Sequence, residues 1–110
     1  MDELRQHPRH TNLHQLEAFD ANSNVRLGRV ADLSETGFML FSEQQIAVDS
    51  LWQIRLCLAT PLNGIQELQL GADCLWSRPG ADGSHAWAGF QIIDLSEAQE
   101  QLLREWLKHL

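Results

Sequence analysis

The sequence predicts a mainly β domain in which six antiparallel strands close into a small barrel, with an α-helix at the C-terminal end. Short apolar runs recur along the chain between segments rich in Gly, Asn, Ser and Pro, a pattern typical of strands joined by turns. Two of these runs alternate apolar and polar residues, as half-buried strands do. The final segment changes to a helical period. Short strands at this spacing are typical of a barrel.

The predicted strands are separated by turn residues. Ser34-Glu35-Thr36-Gly37 is a turn that ends in glycine, and we expect Gly37 to adopt a backbone angle that other residues resist. In the fifth run, Trp76 shares the register of the apolar residues and is expected to pack inward. The predicted strands are residues 13–20, 25–33, 38–41, 51–59 and 65–76, followed by a last strand that turns Ala86, Ala88, Phe90 and Ile92 inward.

Residues 96–110 are predicted to form the helix. Ser96 followed by Gln99 fits a capping box, and Leu95 is placed to act as a hydrophobic staple. A helix of about four turns is marginal on its own, so its apolar stripe is expected to dock on the barrel or on a partner. That stripe consists of Ala98, Leu102, Leu103, Trp106, Leu107 and Leu110.

Length and composition indicate a single soluble, cytoplasmic domain. A chain of 110 residues buries about two-thirds of its extended surface on folding, which is enough for a core without disulfides. Cys57 and Cys74 lie in apolar runs without C-x-x-C spacing and are expected to be buried, reduced thiols. No apolar stretch approaches the ~20 residues that cross a bilayer, and the N-terminus lacks an apolar leader. Membrane insertion and secretion are therefore not expected.

The net charge of −7 argues against binding to DNA or RNA, which requires a basic surface. The charge is unevenly distributed, because residues 1–30 contain four Arg and four acidic side chains and the rest of the chain carries the whole excess. An anionic ligand is therefore expected near the front of the sequence. The cations there are all Arg, whose planar guanidinium group offers donors that Lys cannot supply.

Residues 1–12 are polar, contain Pro8 and show no apolar period, so we predict a flexible arm. Arg5 and Arg9 lie in this arm, and Pro8 favours extended angles at the residue before it. Downstream, an inward Leu33 would leave Asp32 and Ser34 together on the outer face of the strand. Carboxylate and hydroxyl groups suit a purine edge, whereas guanidinium groups suit phosphate or the O6/N7 edge of guanine.

R-x-x-x-R at Arg5 and Arg9, followed by D-x-S-x-x-G at residues 32–37, resembles the PilZ domain family, bacterial receptor modules for cyclic di-GMP. The strand end at residues 72–76 and Ala88-Gly89-Phe90 resemble the same family, so the likeness extends over essentially the whole chain. It implies a flexible ligand-binding arm over residues 1–12. It also implies a PilZ-type six-stranded antiparallel β-barrel over residues 13–110, including the helix over 96–110.

The resemblance also implies roles for individual residues. Arg5 and Arg9 would hold phosphates and a guanine, Asp32 and Ser34 would hydrogen-bond the guanine and the site backbone, and Gly37 would allow a close approach. Ligand binding would order the arm. At Leu4 some members carry another Arg that holds a second cyclic di-GMP, so one ligand per chain is expected here. Possible secondary contacts are Leu4, Trp76 and Arg78.

The leading hypothesis is a receptor that signals through a conformational change to an effector protein in trans. The alternative is a PilZ-fold adaptor for motility or pilus machinery with weak or no nucleotide binding. An oligonucleotide-binding barrel is disfavoured by the acidic charge. No catalytic motif is present, so an enzyme is not expected. No cofactor or metal site is expected, because Pro8 breaks the helix face on which His7, His10 and His14 could otherwise meet.

Overall fold

The computed structural model describes residues 15–110, which form a closed antiparallel barrel and one helix. The strands follow one another around the barrel in the order β1-β2-β3-β6-β5-β4, and β1 pairs with β4 to close it. The predicted six-stranded barrel is thus confirmed. The elements are β1 (Leu16–Asp20), β2 (Arg26–Leu33), β3 (Gly37–Ser42), β4 (Leu51–Leu62), β5 (Ile65–Pro79), β6 (Ala86–Asp94) and α1 (Glu97–His109).

Apolar side chains fill the inside of the barrel. Alternation along each strand turns every second residue inward, and Leu33, Leu40 and Ile54 are fully buried as a result. Phe38 and Phe90, opposite each other on β3 and β6, stack with ring centroids 5.0 Å apart. Because the interior is packed with side chains, the outer surface is where this fold can present a ligand site.

The hairpin between β4 and β5 is tighter than the sequence indicates. Asn63 and Gly64 both have positive φ, 54° and 79°, as a two-residue type I′ turn requires. β4 therefore extends to Leu62, beyond its predicted end at residue 59. β5 begins at Ile65, as predicted, and continues to Pro79, beyond its predicted end at residue 76.

The C-terminal helix packs on the barrel, as its apolar stripe predicts. Ser96 accepts a hydrogen bond from the Gln99 backbone N–H at 3.2 Å and caps the first turn. The Gln99 side chain does not complete the capping box, because its oxygen accepts the Gln69 N–H of β5 at 2.7 Å. Leu103 and Trp106 are buried, and the Trp106 indole donates to the Ile65 carbonyl at 3.1 Å. Ala98 is exposed, so its place in the buried stripe was wrong.

A bulge in β5 turns the Trp76 side chain outward, opposite to the predicted direction. Cys74 pairs with Phe90 and Trp76 with Gly89, so Leu75 is an extra residue on β5. The extra residue shifts the alternation by one. Cys74 remains inward and buried, whereas Trp76 lies on the outer face and is only partly buried. The prediction that Trp76 packs in the core is therefore wrong.

The two cysteines lie in different environments. Cys74 is fully buried, as predicted. Cys57 is partly exposed, because it lies on the outward side of the alternation in β4, so the prediction that it is buried is wrong. Both are free thiols, and burial raises the pKa of each.

Candidate ligand-binding face

Four neighbouring strands, β2, β3, β6 and β5, present a continuous outer surface, which we call the candidate face. One row of residues crosses it through register pairs: Asp32 lies opposite Met39, Met39 opposite Gly89, and Gly89 opposite Trp76. A bulge at Ala31 sets this row, because Val30 pairs with Leu40 while Asp32 pairs with Met39. The candidate face consists of Arg29, Asp32, Met39, Phe41, Trp76, Arg78, Trp87 and Gly89, with the turn at residues 34–37 at its edge.

The turn between β2 and β3 is held by its own side chains. The Ser34 backbone N–H donates to the Gly37 carbonyl at 2.9 Å, which closes the turn. The Thr36 N–H donates to Ser34 Oγ at 3.3 Å, and Ser34 Oγ lies 3.3 Å from the Gly37 carbonyl. Asp32 and Ser34 are each only 8% exposed, and Leu33 between them is fully buried. The turn is thus a fixed shape at the edge of the candidate face.

Gly37 is required for close packing and not for an unusual backbone angle. The φ angle of Gly37 is not positive, so the expectation of a backbone angle that other residues resist is wrong. A Cβ at this position would lie 2.4 Å from the Phe90 carbonyl oxygen of β6. The Ile92 N–H also donates to the Thr36 carbonyl at 2.8 Å. Glycine therefore allows the turn to lie directly against β6.

Trp76 lies flat against the barrel because residue 89 is glycine. A Cβ at Gly89 would lie 2.0 Å from Trp76 Nε1, in the middle of the space that the indole occupies. The Arg78 guanidinium lies over the Trp76 ring, 4.8 Å from the ring centroid. The indole and the guanidinium that lies over it form a platform, and its outer surface is of the kind on which purine bases stack.

The cations of the candidate face have no acidic partners within residues 15–110. Arg29 and Arg78 are exposed and make no ion pair or side-chain hydrogen bond with this part of the chain. They occupy the two ends of one row, in which Arg29 lies opposite Phe41, Phe41 opposite Trp87, and Trp87 opposite Arg78. Three strand spacings separate them, or about 14 Å. The remaining cations, Arg26, Arg55, Arg104 and Lys108, are each paired with a glutamate.

The loop between β5 and β6 borders the same surface. His85 stacks on Phe41 with ring centroids 4.8 Å apart, and its Nδ1 lies 2.7 Å from the Asp82 carboxylate. The His85 and Ser84 backbone N–H groups also donate to Asp82. These bonds, those from His85 first, lower the pKa of Asp82 to about 2. The loop is therefore fixed beside Phe41 at neutral pH.

The structure brings together the described part of the predicted site. Asp32 and Trp76 lie in one row of the candidate face, Arg78 is two residues from Trp76, and Ser34 and Gly37 form the adjacent turn. Arg5, Arg9 and Leu4 lie outside the described residues, so their roles stay predictions.

Sequence reasoning missed two residues of this face. Gly89 was seen only as part of a motif, although a glycine inside a strand is a signal for close approach of another group. Arg29 was seen only as one of the early cations. Its outward register, one residue from the buried Val30, could have placed it on the outer surface.

Residues 15–110 contain neither a metal-binding cluster nor a helix that could span a membrane. Residues 15–110 contain no group of three His, Cys, Asp or Glu side chains arranged to hold a metal ion. The helix found in this region, α1, is too short and too polar to cross a membrane.

The comparison with family models decides the family. The model that describes the PilZ domain matches residues 3–109. The chain belongs to the PilZ domain family. This confirms the family that the sequence resembles, and the matched segment includes Arg5 and Arg9. No curated protein sequence matches the chain.

Solved structures show the same fold at low sequence identity. The chain superimposes on YcgR from Escherichia coli, solved in complex with c-di-GMP, with TM-score 0.72, 15% identity and coverage of 96% of this chain and 45% of YcgR. For the K. pneumonia MrkH–c-di-GMP complex the TM-score is 0.74, with 16% identity and coverage of 94% and 51%. The chain thus spans about half the length of each. The PilZ domain of CeSA from a cellulose-synthesizing bacterium matches with TM-score 0.61, 20% identity and coverage of 93% and 99%.

Proposed function

We propose that this PilZ domain is a receptor for cyclic di-GMP and that the nucleotide lies on the candidate face. The observation that carries the proposal is the pair Arg29 and Arg78, exposed guanidinium groups without acidic partners in residues 15–110, at two ends of one row. In a chain with a net charge of −7, two cations on one surface without acidic partners among residues 15–110 favour an anion there.

The remaining residues of the candidate face fit the other parts of the ligand. The platform of Trp76 and the Arg78 guanidinium that lies over it gives a guanine base a surface on which to stack. Asp32 supplies carboxylate acceptors for the N–H groups of guanine. Ser34 and Gly37 shape the turn that borders the base. Relatives in the fold, YcgR and MrkH, have been solved as c-di-GMP complexes, which favours the same ligand here.

Arg5 and Arg9 complete the proposed site. Both belong to the segment that matches the family model, and two guanidinium groups four residues apart suit the phosphates and the Hoogsteen edge of guanine. In this proposal the arm closes over the bound nucleotide, and the entropy of ordering it is subtracted from the binding free energy. With Leu4 before the first Arg, we expect one nucleotide per chain.

The proposed receptor acts by binding and performs no catalysis. It needs no cofactor beyond its ligand, and it passes the signal to an effector protein in the cytoplasm through the change in the arm. DNA and RNA are not proposed as ligands, because their affinity depends on neutralising many phosphates with a basic surface and this chain is acidic.

The test is isothermal titration of the full chain with cyclic di-GMP at physiological ionic strength, with GTP and cyclic AMP as controls. We expect saturable binding at micromolar or lower concentration, one nucleotide per chain, and no heat with the controls. Arg5→Ala and Arg9→Ala should each weaken binding by about 1.5–3 kcal/mol, the range for hydrogen bonds to charged groups. No binding at millimolar ligand would contradict the proposal and favour the adaptor alternative.

A further inference from the structure

Three exposed apolar side chains surround one carboxylate on the barrel. Leu51 is 71% exposed, Ile93 53% and Leu75 49%, whereas large apolar side chains elsewhere on the strands are mostly in the core. Leu51 lies directly opposite Asp73 in the β4–β5 ladder. We call Leu51, Asp73, Leu75 and Ile93 the Asp73 patch.

Two bulges expose the other apolar members of the patch. Leu75 is the extra residue of β5, two positions along the strand from Asp73. Ile93 is the extra residue of β6, between Ile92, which pairs with Ala72, and Asp94, which pairs with Gly71. An extra residue in a ladder is left unpaired and its side chain is redirected. Asp73 therefore lies at the centre, with an exposed apolar side chain on each of three neighbouring strands.

One oxygen of the Asp73 carboxylate accepts no hydrogen bond from the described residues. Its Oδ1 atom is shielded from solvent, yet no residue of the described chain donates a hydrogen bond to it. Buried polar atoms in native proteins are nearly always hydrogen-bonded, and a carboxylate oxygen without a donor is unfavourable away from water. The Asp73 side chain as a whole is only partly buried, so a cation from another molecule can approach the carboxylate and offset this penalty.

The negative charge around the patch favours a positively charged donor. Asp49, whose backbone N–H donates to the Cys74 carbonyl at 2.7 Å, and Asp94, opposite Gly71, flank the patch on two sides. Three carboxylates with apolar side chains between them favour a cation with apolar neighbours, and they repel phosphate-bearing partners. Arginine is also among the residue types enriched at the centres of protein interfaces.

We propose that the Asp73 patch docks a protein partner through an Arg or Lys side chain that pairs with Asp73 and is flanked by apolar side chains. This proposal rests on the proposed receptor function, because that function requires an effector protein, and it adds the surface that binds the effector. Leu75 directly precedes Trp76, and one bulge exposes both. A partner on the patch therefore lies beside the proposed nucleotide platform, where a change at Trp76 can reach it.

The experiment selects dodecapeptides from a random phage-displayed library on the full chain without nucleotide. One enriched peptide is then synthesised and titrated by fluorescence anisotropy. Variants Asp73→Asn, Leu51→Glu and Leu75→Glu test the patch. Val25→Glu is the matched control, since Val25 is 55% exposed on the β1–β2 turn. Circular dichroism and thermal unfolding verify that each variant folds. Asp73→Asn should not lower the melting temperature, because Asp73 accepts no bond at Oδ1 that the change would remove.

We expect the enriched peptides to share a basic residue flanked by apolar residues. Each patch variant should bind the synthetic peptide at least about tenfold more weakly, the usual result of breaking a desolvated charge pair or its apolar surround, and Val25→Glu should bind it normally. Absence of enrichment, enrichment of acidic peptides, or equal binding by the variants would overturn the proposal. A concentration-dependent dimer that Leu75→Glu dissolves would overturn it in favour of a second copy of the chain. Because no nucleotide is present, these outcomes are independent of cyclic di-GMP binding.

Discussion

Two arginines of this barrel lie over aromatic rings at the same distance but differ in what else they contact. Arg78 lies 4.8 Å from the Trp76 ring centroid and Arg55 lies 4.8 Å from that of Phe19. Arg55 is also 3.5 Å from the Glu67 carboxylate, whereas Arg78 has no carboxylate partner within residues 15–110. Stacking alone therefore does not define an anion site. The availability of the positive charge distinguishes the two positions.

The surroundings of Arg55 reinforce the contrast. Its guanidinium also donates to Cys57 Sγ at 3.1 Å and to the side-chain oxygen of Asn24. An open groove of about 430 Å³ runs beside it, but Glu17 and Glu67 are among its lining residues. A groove with two carboxylates and a neutralised arginine is a poor place for a phosphate. The candidate face, where Arg29 and Arg78 have no carboxylate partner within residues 15–110, is the better one.

The largest expected effect comes from removing both arginines of the candidate face. We expect Arg29→Ala combined with Arg78→Ala to weaken cyclic di-GMP binding about a hundredfold or more, since each charge-assisted bond contributes about 1.5–3 kcal/mol. Titration calorimetry measures it. Arg55→Ala is the matched control and should leave the affinity unchanged. An equal loss of affinity in the double variant and in Arg55→Ala would mean that the candidate face is not preferred over the groove beside Arg55.

A smaller effect is expected from displacing the platform without removing a charge. In Gly89→Ala the new methyl group occupies the place of the Trp76 indole, so the ring must rotate away from β6. We expect roughly tenfold weaker nucleotide binding, since base–aromatic stacking contributes about 1–3 kcal/mol. Fluorescence should also shift to longer wavelength as the indole enters water. Normal affinity in a folded Gly89→Ala protein would exclude Trp76 as the platform.

Arg55, which is paired with Glu67, should contribute more to stability than Arg78. We expect Arg55→Ala to lower the free energy of unfolding by about 0.5–1 kcal/mol, the range for a surface ion pair that is partly shielded, and Arg78→Ala to change it by less. Urea titrations of the two variants and the unchanged protein give the comparison. A larger loss from Arg78→Ala would show that its charge is engaged in the fold.

The smallest expected effect concerns the thiol beside Arg55. Burial raises the pKa of Cys57, while Arg55 acts in the opposite direction. Removing Arg55 should therefore raise this pKa further and slow the reaction of Cys57 with a disulfide reagent near pH 8, where the thiolate is the reactive form. Cys74 should react only after unfolding. An unchanged pH profile in Arg55→Ala would show that the guanidinium does not act on the thiol.

Much of the fold follows from local signals in the sequence. Period-two alternation in β4 and β5 and the change to a helical period after Ser96 predicted the barrel and the helix, because burial of one face imposes each pattern. The turn at residues 34–37 was also predicted from its residues. The bulges were not predicted. Whether a strand contains an extra residue depends on its pairing with the neighbouring strand, and the hydrophobic pattern of the bulged strand alone does not reveal it.

The candidate site shows the same division. The motif at residues 32–37 placed Asp32, Ser34 and Gly37 from the sequence alone. Trp76 was assigned to the core, because simple alternation continues through Leu75 where the real strand shifts by one residue. Arg29 and Gly89 became visible only when the register of four strands was known. Pairwise contacts between distant segments decide these positions, and a single sequence does not report them.

The most direct test of the central claim is an NMR titration of the 15N-labelled full chain with cyclic di-GMP. We expect large shifts at the Gly89 amide, the Trp76 indole N–H and the Asp32 amide. The amides of Cys57 and Glu67, on the face where Arg55 is paired, should remain unchanged. Shifts centred on Cys57 and Glu67, with the candidate face unaffected, would contradict the assignment of the nucleotide to the face with the free arginines.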